Sequence, residues 1–146
     1  MRWDEVGVVA VGGAAGAMAR WWITLVVPHT TAGAWPWATF LTNLTGCLLL
    51  GMVLAWINAR RDRWSPRWSR LARPLVASGI LGGYTTFSTY AVEVRGMAAA
   101  GQWVGAVTYA LASVVIGVGL VVVGSWIAER LLSTPANHDL SQDDAL

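Results

Sequence analysis

Residues 74–92 carry no charge, yet this apolar stretch holds Gly79, Gly82, Gly83, Thr85, Thr86, Ser88 and Thr89. Glycines and hydroxyl residues at this density are poor helix formers. Backbone released from helical bonding cannot be left facing lipid, because each unpaired N–H or C=O there costs several kcal/mol. A helix broken at membrane depth survives only where protein buries it or where it lines an ion or water path. The stretch therefore predicts a membrane protein whose interrupted helix belongs to a channel or transporter.

The remainder of the chain agrees with a membrane location. Of 146 residues, 55% are hydrophobic and 12% charged, and the mean hydropathy is +0.52. A soluble domain carries about 25% charged residues. All ten basic residues are arginine, and most of the ten tryptophans stand at the ends of apolar runs, where a half-buried indole suits the membrane interface. A net charge of +2 is too small to imply nucleic acid. Cys47, the single cysteine, lies in an apolar run and reads as a small packing residue.

Length and flanks predict an all-α membrane protein with four spans, at about 6–27, 37–59, 74–97 and 103–128, the third broken mid-membrane. These spans form one transmembrane domain over residues 1–132, and residues 133–146 read as a disordered polar tail. A turn-rich loop at 28–36 and an arginine-rich one at 60–73 join the first three spans. With four spans, both termini and the 60–73 loop share one side. That side carries Arg2, Arg60, Arg61, Arg63, Arg67, Arg70, Arg73 and Arg130, against Arg95 opposite and Arg20 within the first span. The positive-inside rule places both termini in the cytoplasm of a multi-pass cell-membrane protein.

Polar residues inside the spans are candidates for function. Arg20 is expected to act structurally or electrostatically. Thr39 and Asn43 share a face of the second span, and Tyr109 and Ser113 one of the fourth. Each pair can line an anion path, or can bond across helices and to its own backbone. Glu5, Glu93 and Glu129 read as lying near span ends, which counts against a proton-coupled multidrug exporter. No nucleophilic triad, metal cluster or phosphate loop is legible, and an enzyme is not expected.

The motifs Gly12-Gly13-x-x-Gly16-Ala17-x-x-Arg20, Thr39-x-x-x-Asn43-x-x-Gly46 and 82–90 (Gly-Gly-Tyr-Thr-Thr-Phe-Ser-Thr-Tyr) resemble the fluoride channel family known as CrcB or Fluc. The resemblance spans about residues 5–130, and the third motif is the specific one. It implies an antiparallel dimer with two narrow pores that exports toxic fluoride passively. It implies a fluoride pathway of Asn43, Phe87, Tyr90, Thr39, Ser88, Thr89, Tyr109 and Ser113, in which Tyr90 stands where the family has a second phenylalanine. It also implies a structural sodium ion, not transported, on the carbonyls of Gly82 and Thr85. The arginine imbalance adds a further expectation. A chain fixed in one orientation needs an oppositely oriented homologous partner, so a heterodimer is favoured over a homodimer. A non-conducting partner subunit is the alternative reading.

Overall fold

The computed structural model describes residues 2–27 and 34–133, and every regular element among them is helical. Most of the expected 28–36 loop and all but the first residue of the expected tail lie outside the described residues. The helices are α1 (Trp3–Val26), α2 (Trp37–Arg60), α3 (Pro66–Arg73), α4 (Gly82–Tyr84), α5 (Phe87–Ala99) and α6 (Trp103–Leu132). A single 3₁₀ turn, Arg61–Arg63, follows α2, and a π-type segment, Pro74–Leu81, joins α3 to α4. Three elements are long and apolar enough to cross a membrane: α1, α2 with its continuation to Arg63, and α6.

The segment expected to be the third span, broken mid-membrane, runs as the π-type segment, α4 and α5. Pro66 opens α3 at a position where its missing N–H costs nothing. Pro74 then stands inside the continuing helix, where it removes one backbone bond, and the winding widens from that point. Helical geometry stops at Thr85 (φ −78°, ψ 161°) and Thr86 (φ −142°, ψ 122°), both extended. It resumes at Phe87, with the Thr86 hydroxyl accepting from the Thr89 N–H at 3.1 Å as an N-cap. At the far end of α5, Gly101 takes φ +78°, the Gln102 N–H returns to the Met97 carbonyl and the Gly101 N–H to that of Ala98. This paired closure is a Schellman ending, and it turns the chain sharply into α6.

Apolar side chains gain little by leaving lipid for one another, so packing here depends on close backbone approach. α1 lies along the π-type segment and α4, and α2 lies along α6. A Cβ on Gly12 would come within 2.7 Å of the Leu75 carbonyl oxygen, and one on Gly16 would collide with that of Ile80. Gly51 and Gly124 make the corresponding approaches between α2 and α6. A cluster of buried side chains, Phe40, Met97, Ala106 and Tyr109, sits where α2, α5 and α6 meet. Large apolar residues elsewhere, such as Val104, Val115 and Val122 on α6, face outward, as suits a lipid-facing surface.

Candidate functional site

The non-helical pair Thr85–Thr86 is held from α2. Asn43 Nδ2 donates to the Thr86 carbonyl at 3.0 Å, and Asn43 Oδ1 accepts from the Thr86 N–H at 2.8 Å. One side-chain amide thus pairs both backbone groups of an extended residue, as a neighbouring strand would. The amide orientation follows from this network, since a backbone N–H only donates.

This clamp has a consequence for the carbonyls around it. In an uninterrupted helix the Thr86 N–H would bond Gly82, and the Thr89 N–H would bond Thr85. The first goes instead to Asn43 and the second to the Thr86 hydroxyl. The carbonyl oxygens of Gly82 and Thr85 are therefore two of the four, Gly82 to Thr85, that lose their helical partners at the break. They fit a hard cation, which prefers oxygen. Among the described residues no group of three His, Cys, Asp or Glu is placed to hold a metal.

Two cavities flank Thr86, which lines both. One, of about 380 Å³, is bounded by Arg20, Thr24, Thr39, Thr42, Ser88 and Thr89. Arg20 enters it with no carboxylate at ion-pair distance among the described residues. The other, of about 320 Å³, is lined by Asn43, Cys47, Gly82, Thr85, Phe87, Tyr90 and Ser113. Phe87 is 79% exposed, so this second cavity opens on an uncovered face of the single chain.

The aromatic residues form a chain of their own. The rings of Phe87 and Tyr90 lie 5.7 Å apart, and those of Tyr90 and Tyr109 5.4 Å apart. The Tyr90 hydroxyl donates to the Ala110 carbonyl at 3.2 Å, which ties the ring to α6.

The other sequence-derived residues divide into three groups. Ser88 and Thr89 reach the Arg20 cavity, where the Thr86 hydroxyl donates to Thr89 Oγ1 at 2.9 Å. Ser113 turns its hydroxyl back to the Tyr109 carbonyl at 2.7 Å. Thr39 and Tyr109 both give their hydroxyl hydrogens to Glu93: Thr39 Oγ1 donates to Oε1 at 2.6 Å, and the Tyr109 hydroxyl donates to Oε2 at 2.8 Å. Tyr109 is fully buried.

Glu93 is the residue that sequence reading missed. Its position near the end of the expected third span makes it look interfacial, yet its carboxylate lies among α2, α5 and α6. Helical side chains tilt toward the N-terminus, so this one reaches back into the bundle. The signal was available: Tyr90, Glu93 and Met97 follow at helical spacing on one face, and Met97 is in the buried cluster.

A family model described as CrcB-like protein, Camphor Resistance (CrcB), matches residues 7–125. Several relatives bear the name fluoride-specific ion channel FluC. The chain is similar to that of Hyphomonas neptunium, with 36% identity over 126 residues, covering 86% of this chain and 96% of the relative. It is similar to FluC 1 of Streptomyces coelicolor, with 40% identity over 127 residues, covering 87% and 79%. The relative in Bordetella petrii is 43% identical over 123 residues, covering 84% and 90%. With three helices fit to cross a bilayer, the protein is a multi-pass membrane protein. The chain belongs to the CrcB family.

Proposed function

We propose that this chain is a subunit of a fluoride-specific channel, not an enzyme, and that it lets fluoride leave the cytoplasm passively and so limits its toxicity. The observation that carries the reading is the extended Thr85–Thr86 step, held by Asn43 between an arginine-bearing cavity and an aromatic one, in a chain whose family relatives are named for fluoride conduction. Fluoride is small and strongly hydrated, so a selective path must replace its water with donors. The Arg20 cavity supplies a positive charge and the hydroxyls of Ser88 and Thr89, with Thr39 lining it while its own hydrogen goes to Glu93. Asn43 has a second N–H beyond the one given to Thr86. Phe87 and Tyr90 offer electropositive ring edges, and Ser113 and Tyr109 continue the polar side.

In this reading the π-type segment, α4 and α5 together form the third of four spans, interrupted at mid-membrane. The exposed face of Phe87 is then covered by a second subunit packed antiparallel. A sodium ion, when bound, supplies fixed positive charge for the carbonyl oxygens of Gly82 and Thr85. A second subunit doubles that oxygen set.

The family match does not favour unlike subunits over like ones. The observation behind a heterodimer is the arginine count alone, eight on the side of the termini against Arg95 on the other. The multidrug-exporter alternative is not excluded for want of a carboxylate inside the bundle, because the half-buried Glu93 reaches between α2 and α6. It is set aside on family membership instead.

The test is fluoride efflux from proteoliposomes, followed with a fluoride electrode and with chloride as the control. Efflux should be selective for fluoride and should fall sharply in Phe87→Ile. Equal chloride and fluoride efflux, or normal fluoride efflux in that variant with assembly intact, would overturn the assignment.

A further inference from the structure

We propose that residues 60–73 form a fixed binding site for the headgroup of an anionic phospholipid. The inference rests on the membrane location and is independent of which ion the protein conducts. Within these fourteen residues stand six arginines and one acid, Asp62. The arginines are not equivalent. Arg70 is engaged with α1, its Nη2 lying 3.2 Å from Asp4 Oδ2 and its Nε 3.8 Å from Glu5 Oε1. Arg61 lies 3.8 Å from Asp62, and Arg60 stacks 5.4 Å above the Trp56 ring. Arg63, Arg67 and Arg73 are exposed, with no carboxylate at ion-pair distance among the described residues.

The segment carrying them is anchored rather than loose. The Ser69 hydroxyl donates to the Arg61 carbonyl at 2.6 Å, which closes the turn onto α3. Trp64 packs on Trp56 with ring centroids 5.3 Å apart. Leu71 and Ala72 are buried. The ion pairs of Arg70 then hold α3 against the start of α1. Three unpaired guanidinium groups are thus presented on a scaffold fixed at both ends.

Depth identifies the occupant. Arg73 directly precedes Pro74, where the uncharged stretch begins. At 1.5 Å rise per residue, Arg67 lies about 9 Å from Arg73 along the helix. The headgroup layer on each side of a bilayer is about 5–8 Å thick. Arg73 therefore stands at the inner edge of the headgroup layer and Arg67 at or just beyond its outer edge, with the exposed Trp68 ring between them as an interfacial anchor. Guanidinium binds phosphate through paired N–H donors. A zwitterionic headgroup offers the same phosphate but adds a cation that these arginines repel, so the site selects net negative charge.

The experiment is native mass spectrometry of the intact protein in detergent, titrated with phosphatidylglycerol and phosphatidylcholine in parallel. The expected result is preferential retention of phosphatidylglycerol, with its apparent Kd raised at least about fivefold in the Arg63→Gln, Arg67→Gln, Arg73→Gln triple variant. Phosphatidylcholine retention should not change. Raising sodium chloride to about 0.5 M should weaken phosphatidylglycerol alone in the unaltered protein, a readout that survives even if the triple variant fails to fold. Equal retention of both lipids, or an unaltered preference in a folded triple variant, would overturn the proposal. Displacement of the lipid by millimolar inorganic phosphate would also overturn it, by assigning the patch to a soluble anion.

Discussion

Asn43 pairs with Thr86 through both backbone groups of that residue, at 3.0 and 2.8 Å, and so takes the place of the helical bond that the Thr86 N–H does not make. The side chain reads from sequence as an ion ligand. In the structure it is first a structural clamp, with one N–H left over for an ion.

Asn43→Leu should therefore damage the protein before it damages conduction. It leaves the Thr86 N–H unpaired inside the bundle, at about 1–3 kcal/mol, while the Thr86 carbonyl, at the N-cap, keeps the first bond of α5. The expected outcome is a lowered unfolding midpoint in detergent together with lost fluoride efflux. A variant as stable as the parent but unable to conduct would mean that the clamp is dispensable and that Asn43 acts only as a ligand.

Thr39 and Tyr109 share Glu93 as acceptor, one on each carboxylate oxygen. Hydrogen bonds to a charged group are worth about 1.5–3 kcal/mol. Residues that share one partner are not energetically independent. Thr39→Val and Tyr109→Phe should each destabilise, and the double variant should depart from additivity by about 0.5 kcal/mol or more. Unfolding midpoints of the four proteins in one detergent complete the cycle. Strict additivity would show that the two hydroxyls do not act through one carboxylate.

Tyr90 replaces an expected phenylalanine, and its hydroxyl is occupied by the Ala110 carbonyl at 3.2 Å. The ring stays in tilted contact with Phe87 and Tyr109, at 5.7 and 5.4 Å between centroids. Tyr90→Phe should cost only about 1 kcal/mol of stability, the usual net worth of a neutral hydrogen bond, and should preserve fluoride efflux. Tyr90→Ile, which removes the ring, should abolish efflux. If Tyr90→Phe abolished it as well, the hydroxyl would belong to the ion path.

How far the sequence could be read depends on whether a feature is local. Apolar runs bounded by tryptophan and proline mark α1, α2 and α6, and the glycine and threonine density marks the interruption at Thr85. Both are properties of neighbouring residues. The Asn43–Thr86 pairing joins residues 43 positions apart, and the Glu93–Tyr109 bond crosses the α5–α6 turn. Nothing local announces either. The change of winding at Pro74 is not legible for a different reason. A hydropathy run is blind to a lost backbone bond, and from sequence alone the proline reads as the start of a span rather than as a residue within a continuing helix.

Gly13 and Gly16 look alike in the sequence but differ in the structure. A Cβ on Gly13 meets nothing within 4 Å, whereas one on Gly16 collides with the Ile80 carbonyl. Gly13→Ala should be tolerated, and even gain slightly from helix propensity, about 1 kcal/mol at most. Gly16→Ala should separate α1 from the π-type segment and lower both yield and thermal stability. Equal behaviour of the two variants would mean that α1 does not pack as described.

Orientation is the last expectation, and it follows from charge. Both ends of the 60–73 stretch adjoin apolar segments, and its six arginines resist translocation. A chain so biased should insert one way, with both termini inside. In a Cys47→Ala background, single cysteines at Ala99 and Ser133 report the two faces, since Ala99 closes α5 and Ser133 follows α6. A membrane-impermeant maleimide added to intact cells should label the Ala99 site and spare the Ser133 site. That pattern requires an oppositely oriented partner for antiparallel pairing and so supports unlike subunits. Equal labelling at both sites would mean dual insertion, and the arginine argument for a heterodimer would fall while the fluoride assignment stood.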